Sequence, residues 1–141
     1  MMKRQRPYIL ISNDDGFFAK GINFLIDTLK DEADIIVVAP DSARSGYGLA
    51  ITSMLPIQAE LLKDEDHLKV YACTGTPGDC IKLALNRLVE RKPDLIISGI
   101  NHGDNSSVNS HYSGTMGAAS EGALQGIPAI AFSLCDHRDD A

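Results

Sequence analysis

Tyr8-Ile9-Leu10-Ile11-Ser12-Asn13-Asp14-Asp15-Gly16 is the stretch on which the fold turns. Its first five residues read as a strand buried on both faces, the pattern of a parallel sheet. Two adjacent carboxylates then follow where the strand ends. Adjacent acids repel, so a fold that puts them at a strand end usually supplies a cation to neutralise them. Asn, Asp and Gly are also turn residues. Taken alone, the tetrapeptide therefore has two readings, a turn and a cation site.

Outward from this stretch, apolar strands alternate with amphipathic helices, which predicts an α/β fold with a mostly parallel sheet. A helix is expected near Lys20–Lys30, with Ile22, Leu25, Ile26 and Leu29 on one face. A second strand, Asp34–Ala39, ends at Pro40-Asp41, and a polar loop follows over Ser42–Gly48. Ile51–Ala59 and His67–Ala72, separated by Lys63-Asp64-Glu65-Asp66, read as an inserted β-hairpin. Thr76-Pro77-Gly78-Asp79 has the marks of a helix start, with Thr as N-cap, Pro at the first position and an acid three residues after the cap. That helix is expected to reach about Glu90, before Pro93. A strand at Asp94–Ser98, a loop at Gly99–Ser113, a helix near Gly114–Gln125 closed by Gly126, and a strand at Ile127–Ser133 complete the pattern.

The 141 residues suit a single domain spanning 1–141, and 44% hydrophobic residues suffice for one core. A net charge of −6 argues against non-specific binding to nucleic acid or to anionic membrane. An anionic substrate would need a cation or a local donor site. The three cysteines, Cys73, Cys80 and Cys135, lack zinc-site spacing and read as buried free thiols of a cytoplasmic protein. The basic start is followed by an apolar run too short for a signal peptide. No segment approaches the roughly 18 to 20 apolar residues of a membrane span.

Ligands of α/β sheets bind outside the carboxyl ends of the strands. Three loops carry polar groups to that edge: Asn13-Asp14-Asp15-Gly16, Asp41-Ser42-Ala43-Arg44-Ser45-Gly46, and Ser98 through Asn105. Together they offer two carboxylates, a hydroxyl and an amide oxygen, which are hard donors for Mg²⁺, Mn²⁺ or Ca²⁺. Tyr112-Ser113-Gly114-Thr115 opens a helix whose N–H groups and hydroxyls would cradle a phosphate. A cation beside a phosphate cradle points to metal-assisted phosphoryl hydrolysis. Plainer readings stand beside this one. Ser113 and Thr115 also read as a helix cap, Asn101 and Asn105 as supports of a Gly-rich loop, and Arg44 as a solvated charge. His102 and His111 read as loop surface residues.

Five blocks, in order, resemble the SurE (survival protein E) nucleotidase family. They are Ile11–Gly16; Val38–Asp41 with Arg44-Ser45-Gly46; Thr74–Cys80; Ser98–Asn105; and Tyr112–Thr115 with Ala118 to Pro128. The resemblance implies a Rossmann-like three-layer sandwich and a phosphatase dependent on one divalent metal, Mg²⁺ or Mn²⁺, with Ca²⁺ as a substitute in a crystal. Its substrates would be nucleoside 5′- and 3′-monophosphates and, in some members, short polyphosphate. Asp14, Asp15, Ser45 and Asn101 would hold the metal. Asn105, Ser113, Gly114 and Thr115 would surround the phosphate, with Arg44 beside them and Asn13 supporting the first loop. Asp14 or Asp15 would activate the attacking group, Asp14 being the favoured one.

The chain departs from the family at Ser42-Ala43, where charged residues are usual, and at Tyr47-Gly48-Leu49, where small polar ones are. Family members are also longer, with a C-terminal part that drives homodimer or homotetramer formation, so the family's C-terminal part is expected to be absent here. Two alternatives follow. One is a non-catalytic nucleotide- or metal-binding assembly fragment. The other is a phospho-acceptor receiver module, disfavoured because Asn101 replaces an acceptor Asp and no Lys follows Lys92. No GxxxxGK[ST] or GxGxxG motif occurs.

Overall fold

The computed structural model describes residues 6–41, 57–102 and 122–134. They form one six-stranded sheet with strands β1 (Tyr8–Ser12), β2 (Asp34–Pro40), β3 (Ala59–Glu65), β4 (Leu68–Cys73), β5 (Leu95–His102) and β6 (Ala129–Leu134). The strand order is β3-β4-β2-β1-β5-β6. Every neighbouring pair is parallel except β3 and β4, which form an antiparallel hairpin. β1 is central, pairing Ile11 with Val37 on one side and with Ile97 on the other.

Helix α1 (Lys20–Leu29) links β1 to β2, and α2 (Pro77–Leu83) lies between β4 and β5. The two-residue period of the strands sorts the core into two layers. Ile9, Ile11, Ile35, Val37 and Ile97 pack with Ile22, Leu25 and Ile26 of α1. Leu10, Ile36, Val38 and Ile96 pack with Cys80 and Ile81 of α2. The helices therefore cover opposite faces and make the three-layer sandwich that the resemblance implied. This is the outcome for right-handed crossovers when the chain first moves one way from β1 and later returns to its other side.

Local chemistry sets the helix ends. Thr76 Oγ1 accepts from the Asp79 N–H at 3.2 Å, and Asp79 Oδ2 accepts from the Thr76 N–H at 3.0 Å, a reciprocal capping box. α2 continues as a π-helical turn, Ala84–Leu88, and Val89 takes up an extended conformation at ψ 143°. The helical region thus stops near the expected Glu90. The end of α1 is held by Arg6, whose guanidinium donates to the carbonyls of Lys30, Asp31 and Ala33. Residues 122–124 are helical, and Gly126 at φ 78° ends that helix while the Ile127 N–H reaches back to the Gly122 carbonyl.

The structure corrects two boundaries. The hairpin arm paired with β4 is Ala59–Glu65, so Lys63, Asp64 and Glu65 lie in a strand and not in the turn; residues 51–56 of the expected arm lie outside the described residues. β3 is an edge strand, with every residue after Ala59 exposed, so no apolar face was needed to build it. Charges on such an edge discourage pairing with other chains. β5 runs on to His102, through residues expected to begin a loop. It does so because β6 stays paired with it after a register shift between Ser98 and Asn101. Gly99, at φ 136°, permits that irregularity, since a Cβ there would lie 2.4 Å from the Phe132 carbonyl oxygen. Cys73 and Cys80 are buried and form no disulfide, as expected; Cys135 lies outside the described residues.

Two outcomes follow for stability. Leu10→Ala, in the core beneath α2, should cost about 2–5 kcal/mol and Thr76→Ala about 1 kcal/mol, read as shifts of urea midpoint. At the opposite edge of the sheet, Asp94 Oδ2 accepts from the Tyr8 N–H at 2.8 Å. This bond, aided by the nearby Arg91, holds the Asp94 carboxyl below the usual aspartate range. A depressed folded value stabilises the fold at pH above the unfolded value, and that contribution is lost as pH falls through the folded one. The stability gap between wild type and Asp94→Asn should therefore be widest at neutral pH and narrow on acidification, as measured by denaturation across pH.

Candidate functional site

β1 and β5 are neighbours, yet the chain leaves β1 towards β2 and returns to β5 on the other side. The crevice outside their carboxyl ends is thus a topological switch point, the place where open α/β sheets bind ligands. Asn13-Asp14-Asp15-Gly16 lies at this point, directly after β1.

The loop is built by its first residue. Asn13 Nδ2 donates to the Gly16 carbonyl at 2.7 Å, and Asn13 Oδ1 accepts from the Gly16 N–H at 3.0 Å. One side chain thereby closes a four-residue turn, with Gly16 at φ 106° where an L side chain would be strained. The Phe17 N–H donates to the Pro40 carbonyl at 3.1 Å, which ties the loop to the end of β2. Phe17 and Phe18 meet edge to face at 5.5 Å. The turn reading of the tetrapeptide is therefore real, and it leaves the cation reading open, since the same turn carries both acids.

Asn13 and Asp14 are fully buried and Asp15 is half-buried. Burial of a carboxylate is costly unless hydrogen bonds or a cation compensate it. The donors gathered here are all oxygens, which suits a hard divalent cation rather than zinc. Among the described residues, no group of three or more His, Cys, Asp or Glu side chains could hold a metal. A cation at this point would therefore need the hydroxyl and amide donors that the sequence proposed beside the acids.

The backbone of Asn101 lies on β5, beyond the Gly99 irregularity and paired with Ser133. β1 and β5 thus bring Asn13, Asp14, Asp15 and Asn101 to one edge of the sheet. The side chain of Asn101 lies outside the described residues, as do Arg44, Ser45, Asn105, Ser113, Gly114 and Thr115. Asp41 follows β2 at the same edge, its N–H donating to the Cys73 carbonyl.

Two residues at the switch point were not singled out by sequence. Ser12 and Ser98 are paired in register, fully buried, and their Oγ atoms have no hydrogen-bond partner among the described residues. The available signal was a polar residue closing each of two apolar runs, Ile9-Leu10-Ile11-Ser12 and Leu95-Ile96-Ile97-Ser98.

Comparison with known proteins agrees with the geometry. The family model described as "Survival protein SurE" matches residues 9–141. A protein named 5'-nucleotidase SurE from Bacteroides thetaiotaomicron is 59% identical over 140 residues, covering 99% of this chain and 54% of that protein. Its namesake from Bacteroides fragilis is 57% identical over 99% of this chain and 55% of its own length. The crystal structure of the SurE protein from Aquifex aeolicus matches with a TM-score of 0.79 at 40% identity, over 94% of this chain and 53% of that one. The chain spans about half the length of the relatives it matches. With the family model covering nearly all of its length and the same fold beneath it, the chain belongs to the SurE family.

Proposed function

We propose that this chain carries the catalytic site of a divalent-metal-dependent nucleotidase that releases phosphate from nucleoside 5′-monophosphates, with 3′-monophosphates as further substrates. The observation that carries this reading is the adjacent acid pair at the β1/β5 switch point, Asp14 buried and Asp15 half-buried, in the loop closed by the Asn13 clasp. The name 5'-nucleotidase SurE, borne by relatives sharing more than half of this chain's residues, supports the substrate class.

In this reading Asp14, Asp15, Ser45 and Asn101 supply oxygens to one Mg²⁺ or Mn²⁺. When bound, the cation polarises the phosphoryl oxygen and lowers the pKa of a water. Asn105, Ser113, Gly114 and Thr115 hold the phosphate, and Arg44 offers it a charged donor. In the same reading Asp14 takes the proton of the attacking group, and Asn13 holds the loop that carries both acids. Assembly as a homodimer or homotetramer and a cytoplasmic location belong to the same proposal. No described helix is long and apolar enough to cross a membrane. A second reading, a fragment that binds metal and nucleotide without turnover, is favoured by one observation, the half-length coverage of the relatives.

The test is phosphate release from AMP and GMP by the purified chain, with and without EDTA. Activity should vanish with EDTA and return with excess Mn²⁺. Asp15→Asn and Asn101→Ala should each lower kcat by about 100-fold or more. Activity indifferent to chelator and to both substitutions would overturn the metal reading. Metal-dependent nucleotide binding without turnover would select the second one. Asn13→Ala, which opens the clasp, should lower kcat/KM by about 100-fold through displacement of the acids, measured in the same assay.

A further inference from the structure

Ser12 and Ser98 stand apart from the rest of the core. They occupy opposed positions on β1 and β5, both at 0% exposure, and neither hydroxyl has a hydrogen-bond partner among the described residues. A buried donor without an acceptor burdens the fold with its full desolvation cost. Alanine at either position would remove that burden, and the residues before them, Ile11 and Ile97, show that the strands are otherwise apolar here. Strand alternation puts both hydroxyls on the α2 side, since Leu10 and Ile96 two residues earlier pack in that layer. Two adjacent unsatisfied hydroxyls on one side of the sheet, at the foot of the acid loop, call for an explanation in binding rather than in folding.

We propose that Ser12 and Ser98 are positioning residues for the cation site, their O–H groups donating to its oxygen ligands, Asp14 among them, in the loaded state. This rests on the metal-dependent reading given above. Groups that hydrogen-bond to ligating carboxylates fix their orientation and tune affinity. Here the two hydrogen bonds are withheld from the unloaded fold and made on loading. The unloaded protein is thereby kept less stable than it could be, and the difference is recovered as affinity.

This arrangement has a signature that an ordinary structural hydroxyl lacks. In protein stripped with EDTA, Ser12→Ala and Ser98→Ala should each raise Tm by a few degrees. In calorimetric titration with Mn²⁺, each should weaken binding about 10- to 100-fold. Ser12→Cys and Ser98→Cys, similar in shape with a weaker donor, should fall between wild type and alanine in Mn²⁺ affinity. Alanine variants that bind Mn²⁺ as tightly as wild type, or that melt lower in the stripped state, would overturn the proposal. That result differs from wild type failing to bind Mn²⁺ or Mg²⁺ at all, which would remove the metal reading itself.

Discussion

The rest of the structure depends on the pairing of β1 with a parallel neighbour on each edge. Both faces of β1 are covered as well, Ile9 and Ile11 by the α1 layer, Tyr8 and Leu10 by the α2 layer. A strand enclosed on four sides has to be almost wholly apolar, and it can meet solvent only at its ends. Polar residues can therefore enter the chain at its carboxyl end without disturbing the core. Because the strand order reverses there, no described crossover covers that end, and the acid loop lies at it. Fold and site thus share one cause, the placing of β1 at the point of reversal.

How much was legible in the sequence follows from the same enclosure. β1 was read to the residue, because a doubly buried strand has to announce itself as an apolar run. The start of α2 was equally plain, because Thr76, Pro77 and Asp79 each have a specific task in a capping box. β3 was misplaced because an edge strand with both faces wet carries no hydrophobic period, and Lys63-Asp64-Glu65 then looks like a turn. The extension of β5 was missed for another reason. Gly99 and Asn101 have loop chemistry, and only the partner strand β6 shows that the backbone stays in the sheet. At the candidate site, the place of the acids and the loop-supporting task of Asn13 were readable from residue type. Ser12 and Ser98 were not, since a serine ending a strand looks the same whether or not its hydroxyl finds a partner.

The two edges of the sheet divide the work. At the amino edge, polar and charged side chains pair near the surface: Arg6 and His67 with Asp34, Lys69 with Glu90, and Arg91 with Asp94. Most of these pairs are solvent-exposed and Arg6–Asp34 is part-buried, so the exposed ones contribute little. Arg91 also lies over the Tyr8 ring at 5.0 Å, which covers the start of β1. Charge here is matched and screened. At the carboxyl edge, acid is gathered and withdrawn from water, the condition under which charge acquires chemical leverage.

The Asn13 clasp has a thermodynamic consequence. An open loop bearing two acids would sample many backbone states and lose that freedom each time a ligand bound, at roughly 1–2 kcal/mol for every residue fixed. Asn13 binds both the N–H and the carbonyl of Gly16, so the loop's conformational entropy is surrendered once, during folding. A ligand meeting this loop would start from a turn that is already shaped, which favours fast binding over slow induced ordering.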